Sequence, residues 1–193
     1  MHRHRLAIAA LVMMGGASLT ASGQGRPDPA ALIATQRAAM VPLAWMDGVW
    51  RGSAWIVLPS GEKRIVTQTE RIGPFLDGSI KVVEGRGFEA DGRVGFNAFG
   101  IISYNPDTHA YSLHSHAQGM VGDFALKLTS DGYVWEIPAG PATIRYTAVI
   151  TKGAWREVGD RLVPGQDPTR FFEMNLTRVG DTTWPAAGAV LPR

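Results

Sequence analysis

Two histidines near the middle of the chain have the residue type and the spacing to bind a metal. His114 and His116 are two positions apart in a segment that predicts a β-strand, and side chains at alternate strand positions lie on the same face. An imidazole pair on a strand can supply two ligands to Zn, Cu or Fe. A third ligand would have to come from Glu70, Glu84 or His109. A haem or zinc protein, or an enzyme that uses this strand, is therefore one hypothesis for function.

The same alternation supports a simpler interpretation of these histidines. Tyr111 and Leu113 alternate with Ser112, His114 and His116, which is the pattern of a strand with one apolar face and one solvated face. Two ligands alone do not make a selective metal site. We therefore predict no cofactor, with haem or zinc as the alternative.

A second set of polar residues lies on strands with apolar neighbours. Glu84 and Arg86 share a predicted strand face with three apolar side chains, Ile80, Val82 and Phe88. Glu70 lies on the preceding strand, where a hairpin could bring it across from Arg86. Charges on an apolar face are informative because they are rarely buried without a partner. These residues would anchor a ligand inside an apolar cavity, or form an internal ion pair that sets strand register, or form a solvated cluster at the mouth.

The chain offers little support for catalysis. Glu70 and Glu84 could act as an acid/base pair, but nothing in the sequence sets their separation. No nucleophile elbow or phosphate-binding glycine loop is present. The absence of cysteine excludes thiolate chemistry, disulfides and Cys-based zinc sites. Whether the protein is an enzyme stays open, and the pattern favours a protein that is not one.

The N-terminus predicts export. Arg3 and Arg5 precede the apolar run Leu6 to Leu19, and Ala21-Ser22-Gly23 provides small residues for cleavage before Gln24. We predict a signal peptide at 1–23 and a periplasmic or secreted protein without a membrane span after cleavage; an uncleaved anchor is the alternative. Cleavage reduces the 19 basic residues to 17, against 17 acidic ones. A neutral chain without a basic patch does not favour nucleic-acid partners.

The elements that carry these residues predict an all-β domain. Asp28 and Pro29 can start a helix that extends to Met40, so that residues 24–42 form a helix and linker. From 43 to 180, turn signals such as Asp91-Gly92 separate about ten strands without crossover helices. This pattern predicts an antiparallel barrel, closed because closure removes exposed strand edges. Residues 181–193 are predicted to form a C-terminal tail.

Two resemblances support a calycin barrel. Gly48-Val49-Trp50 at the first strand resembles the Gly-x-Trp start of lipocalins and other calycins. In that group an arginine from the last strand packs over the tryptophan, and Arg178 is placed to match it.

The second resemblance covers about residues 43 to 179. The motifs after Trp50 are similar to those of an uncharacterised bacterial domain-of-unknown-function family with a calycin-like barrel: Thr69-Glu70-Arg71, Val83-Glu84-Gly85-Arg86-Gly87-Phe88 and Ile102-Ser103-Tyr104-Asn105-Pro106. The resemblance implies a fold and carries over no catalytic residues. The histidine-rich strand departs from the family pattern.

Together these features predict a barrel that binds a small apolar or amphipathic ligand, with Glu70, Glu84, Arg86, His114 and His116 as candidate ligand-binding residues. A structural or interaction domain without a ligand is the further alternative. The sequence does not indicate an oligomeric state.

Overall fold

The computed structural model describes residues 27–186, so the predicted signal peptide lies outside the described residues. The first element is helix α1, Pro29–Met40. The Asp28 carboxylate caps it by accepting a hydrogen bond from the Ala30 N–H at 3.1 Å, and Pro29 occupies the first turn, where its missing N–H is not needed. A 3₁₀ segment, Val41–Met46, continues the chain to the first strand. Within 27–186 no helix has the length and apolarity to cross a membrane.

Ten antiparallel strands follow, joined by short connections. They are β1 (Gly48–Val57), β2 (Lys63–Phe75), β3 (Ile80–Phe88), β4 (Val94–Asn105), β5 (Ala110–Ala117), β6 (Met120–Leu128), β7 (Gly132–Ala139), β8 (Ala142–Thr151), β9 (Ala154–Leu162) and β10 (Thr169–Gly180). Each strand pairs with the next, and β1 pairs with β10. The sheet is therefore a closed ten-stranded barrel, which confirms the predicted fold class.

One end of the barrel is closed by the N-terminal segment. Leu43 and Met46 of the 3₁₀ segment are fully buried among the inward side chains of the strands. The Trp50 indole donates a hydrogen bond to the Met46 carbonyl at 2.8 Å, and the Tyr111 hydroxyl donates one to the Ala39 carbonyl at 2.6 Å. The hydrophobic core therefore lies at this end, which we call the closed end.

The opposite end has a different character. In the part of the chain that the structure describes, hairpin turns and the 163–168 connection form its rim, and no helix covers it. Inward side chains near this end are only partly buried: Val66, Ala98, Ser115, Phe124, Ile137, Ile144 and Phe172. Because these side chains face the inside of a closed barrel, solvent reaches them through this end, which we call the open end.

The described part of the C-terminal tail packs on the outside of the barrel. The Arg71 guanidinium lies 4.3 Å from the centroid of the Trp184 ring. The backbone carbonyl of Trp184 is so close to Gly73 that a Cβ at that position would come within 2.0 Å of it. Residues 181–186 thus cover part of β2 instead of forming a loose extension.

Candidate functional site

A glutamate and a glutamine project from β2 into the barrel, between the closed end and the open end. The Gln68 side-chain amide donates a hydrogen bond to Glu70 Oε1 at 2.7 Å, and Glu70 is 8% exposed. Gly85 and Gly87 on β3 stand beside them, and a Cβ at Gly85 would lie only 2.6 Å from Glu70 Oε1. The glycines within β3 therefore provide room for two inward polar side chains, a role that their sequence positions did not reveal.

A second carboxyl group enters the interior from β9. Glu157 accepts a hydrogen bond at 2.7 Å from the Tyr133 hydroxyl and another at 3.3 Å from the Trp135 indole N–H. The Trp155 indole N–H lies close enough to favour the charged form of Glu157, but it makes no hydrogen bond within the described residues. Trp155 is only 3% exposed. Within residues 27–186, Trp155 therefore provides a buried donor beside Glu157 that does not complete a hydrogen bond.

Burial dominates the electrostatics of this cluster. It raises the pKa of Glu70 to about 8, although the Gln68 hydrogen bond acts in the opposite direction, and the charges of Glu157 and Glu84 raise it further. Burial likewise raises the pKa of Glu157, against the hydrogen bonds from Tyr133 and Trp135. The negative charge of Glu157 disfavours a second anion in the same low-dielectric space. At neutral pH the Glu70 carboxyl is therefore mostly protonated, and it can donate as well as accept hydrogen bonds.

Aromatic rings form a wall next to these carboxyls. Trp135 stacks on Tyr146 with ring centroids 4.4 Å apart and planes 10° apart, and the Phe124 ring is tilted by 48° against Trp135 with centroids 5.2 Å apart. Phe171 and Phe172 contact Tyr146 edge-on, beside an irregularity in the register of β10. The wall spans β6 to β10, whereas Glu70 projects from β2, which is diametrically opposite β7 in the strand order. The aromatic wall therefore lies beside Glu157 and Tyr133, and Glu70 and Gln68 project towards the interior from the opposite side.

Glu84 and Arg86 do share a strand face, as the sequence predicted, but that face is the outer one. Arg86 Nη2 lies 2.7 Å from Glu84 Oε1, and Arg71 on the neighbouring strand contacts the other carboxylate oxygen. The Arg86 side chain is 50% exposed. Partial burial alone would raise the pKa of Glu84, but the hydrogen bonds from the two arginines outweigh it and lower that pKa. Glu70 and Glu84 consequently lie on opposite faces of the barrel wall.

His114 and His116 also lie on the outer face. His114 Nδ1 is 2.6 Å from Asp123 Oδ1, and the two imidazole centroids are 4.9 Å apart. His109 is in the turn at the far end of β5, with its Nδ1 3.1 Å from the Tyr104 hydroxyl. Across residues 27–186, no three His, Cys, Asp or Glu side chains are grouped so that they could hold a metal ion. The histidine strand therefore brings two imidazoles together but not a complete ligand set.

Trp50 and Arg178 are partners in the ladder that joins β1 to β10. Trp50 is buried at the closed end, and its ring packs edge-on against Trp155 with centroids 5.7 Å apart. The Arg178 guanidinium donates hydrogen bonds to the Asp47 carbonyl from Nε at 3.2 Å and from Nη2 at 3.1 Å. Arg178 thereby ties the last strand to the residue that precedes the first one.

A separate groove of about 470 Å³ lies at the open-end side of β4 and β5. It is lined by Glu84, Arg86, Phe99 and His116 on the strands and by Met120 and Val121 after the hairpin turn. Met120 and Val121 are exposed. The candidate residues that do not reach the barrel interior are thus partly gathered here, on the outside.

Sequence reasoning identified Glu70 and missed its interior partners. Glu157 occurs in Trp155-Arg156-Glu157-Val158, where charged and apolar residues fall on both faces of the strand. Tyr133 and Trp135 lie in a strand-like segment, and the sequence did not single them out as candidate site residues. The usable signal was the two-residue spacing of Trp155 and Glu157, which places them on one strand face.

Comparison with known proteins gives structural matches only. No protein-family model and no curated protein matches the chain. The solved structure of Rv2717c from M. tuberculosis matches with a TM-score of 0.53 and 13% sequence identity, over 74% of this chain and 96% of that chain. The S-type phycobiliprotein lyase CPES from Guillardia theta matches with a TM-score of 0.47 and 12% identity, over 81% of this chain and 99% of that chain. The protein has a calycin-like barrel fold. At these identities the likeness extends to the fold alone.

Proposed function

We propose that the protein binds a small amphipathic molecule inside the barrel. The observation that carries this proposal is the polar cluster of Gln68, Glu70, Tyr133 and Glu157 between a packed closed end and a solvent-accessible open end. Binding sites in proteins are commonly apolar recesses with a few convergent polar groups. The ligand's polar group would contact the cluster, and its apolar part would lie against the Trp135–Tyr146 stack.

The geometry of β5 provides a test that separates the interior from the outer groove. Ser115 faces inward between Gly100 and Gly122, whereas the adjacent His116 faces outward and lines the groove. Replacing Ser115 with phenylalanine places a ring in the lumen, and replacing His116 with phenylalanine places the same ring in the groove. The two variants are therefore matched in residue type and strand.

The measurement is calorimetric titration of the purified chain lacking residues 1–23 with 1-naphthalenemethanol, a neutral amphipathic probe. We expect wild type and His116→Phe to bind it with similar affinity, and Ser115→Phe to bind it at least tenfold more weakly. Loss of binding in His116→Phe alone would place the ligand in the outer groove and refute the interior site. Thermal unfolding of each variant shows whether it is folded, and Ser115→Leu provides a smaller obstruction should the phenylalanine variant fail to fold.

We also propose that the protein is exported after cleavage of residues 1–23, on the basis of the basic start, the apolar run and the small residues before Gln24. Expression of the full chain in a bacterial host, followed by mass measurement of the periplasmic protein, tests this. A periplasmic product that begins at Gln24 is expected. A full-length product that stays in the membrane fraction would instead indicate an anchor.

A further inference from the structure

The two interior carboxyls have no cationic partner in the described part of the chain. Glu70 and Glu157 take part in no ion pair there, whereas several outer acids pair with arginines, as Glu84 does with Arg71 and Arg86. Lys81 is the buried lysine, and its Nζ is already 2.5 Å from Asp47 Oδ1 at the closed end. A carboxylate that loses its hydration without gaining a counter-charge is strongly disfavoured. A positively charged group inside the barrel would therefore be stabilised by both acids.

The aromatic wall has the chemistry to stabilise the same kind of group. The faces of Trp, Tyr and Phe rings attract cations through their quadrupoles, and cages of such rings recognise organic ammonium groups. Trp135 connects the two features directly, because its indole N–H donates to Glu157 while its ring stacks on Tyr146. Because the indole N–H lies in the plane of its ring, a ligand that reaches Glu157 lies beside the edge of Trp135 and next to the Trp135–Tyr146 stack.

The Trp155 N–H is a further donor at this site, because it lies beside Glu157 without completing a hydrogen bond to it. This donor is buried, and it projects from the same face of β9 as Glu157, two residues away. A buried N–H without an acceptor is unusual in a native structure. An oxygen atom on the ligand, close to its charged group, would satisfy it.

Building on the proposed function, we propose that the preferred ligand of the barrel is an amphipathic organic cation, an ammonium compound with an adjacent hydroxyl, ether or carbonyl oxygen. The ammonium group is held between Glu70 and Glu157, the oxygen accepts from the Trp155 indole, and the apolar part lies along the Trp135–Tyr146 stack. Protein acids supply the charge complementarity, and the rings supply apolar contact.

Three probes that share one ring system test this proposal: 1-naphthylmethylamine, 1-naphthalenemethanol and 1-naphthoate, each titrated calorimetrically at pH 8. We expect the amine to bind at least tenfold more tightly than the alcohol, and the naphthoate to bind more weakly than either. In Glu157→Gln, and in Glu70→Gln, we expect the ratio of amine to alcohol affinity to fall towards one. Glu84→Gln, which alters an acid on the outer face, is the matched control and should keep the wild-type ratio.

The possible outcomes distinguish the preference for a cation from the existence of the interior binding site. Equal affinity for amine and alcohol in wild type, with alcohol binding still blocked by Ser115→Phe, would overturn the cation preference and leave the interior site standing. An amine preference that survives in both interior variants but disappears in Glu84→Gln would also overturn it, because the charge would then be recognised outside the barrel. Failure of all three probes to bind would refute both proposals. Near-UV circular dichroism of each variant confirms that its aromatic interior is intact.

Discussion

Replacing Glu70 with glutamine preserves the shape of the side chain and removes its titration, and we expect it to change how stability depends on pH. Burial raises the pKa of Glu70 from its ordinary value of 4.5 to about 8. The folded state therefore binds this proton more tightly than the unfolded state does. Between these two pH values the folded protein holds more protons than the unfolded chain, so its free energy of unfolding falls as the pH rises.

The size of the effect follows from the difference between the two pKa values. A difference of one in pKa corresponds to about 1.4 kcal/mol, so Glu70 could lower the free energy of unfolding by up to about 5 kcal/mol between acid and alkaline pH. The groups that face it are Gln68, Tyr133 and Glu157, with Glu84 acting through the barrel wall. Glu157 adds a loss of the same sign, because its pKa is also raised. Glu70→Gln should therefore remove part of the alkaline destabilisation, not all of it.

Urea unfolding at several pH values from 5 to 9 measures this dependence. We expect wild type to lose stability steadily over that range and Glu70→Gln to lose much less, becoming the more stable protein at pH 9. Glu84→Gln is the control, since the lowered pKa of Glu84 gives stability that is lost only as the pH falls towards acid. A wild-type stability that does not fall with pH, or a Glu70→Gln variant with the wild-type slope, would refute the electrostatic account of the interior.

Two further variants test the packing around the site and the closure of the barrel. Gly85→Ala should lower the free energy of unfolding by about 1–3 kcal/mol, because the new Cβ overlaps a buried carboxyl oxygen. Gly180→Ala is the control and should be nearly neutral, because there is open space at its Cβ. Equal losses of stability in the two variants, measured by urea unfolding, would contradict the steric argument. Arg178→Ala removes both donors to the Asp47 carbonyl and should lower the free energy of unfolding by about 1–3 kcal/mol. Unchanged urea unfolding in that variant would show that this contact does not stabilise the closed end.

The interior position of the polar groups also explains a feature of β3 that is difficult to interpret from the chain alone. Gly85 and Gly87 interrupt a strand-like run, and glycines at such positions often mark a bend or a bulge. In the structure a Cβ at Gly85 would overlap Glu70, and one at Gly87 would lie 3.1 Å from Gln68 Oε1. The two glycines are therefore complementary to the two polar side chains of β2.

The local pattern of the sequence was enough to predict the helix, the strand count and the closed antiparallel sheet. Asp28 marks the start of α1 because its carboxylate accepts a hydrogen bond from a free N–H of the first turn, and Pro29 does so because it has no N–H that needs an acceptor. Turn residues and period-two alternation likewise depend on near neighbours in the chain, so the hairpins were visible without any tertiary contact. Glu70 was a candidate because a hairpin could bring it across from Arg86, but the structure pairs Arg86 with Thr69 and places Glu70 on the inner face, opposite Gly85.

Which face of each strand points inward was decided only by the closed barrel. On β3 the apolar residues Val82 and Phe88 share the outer face with Glu84 and Arg86, while glycines occupy much of the inner face. Hydrophobicity therefore does not distinguish the inside of this strand from the outside. Glu157 and Tyr133 lie 24 positions apart in the chain, and only sheet closure brings them and Glu70 into one low-dielectric space. Their raised pKa values, and the charge that the interior favours, are consequences of that closure and not of the local sequence.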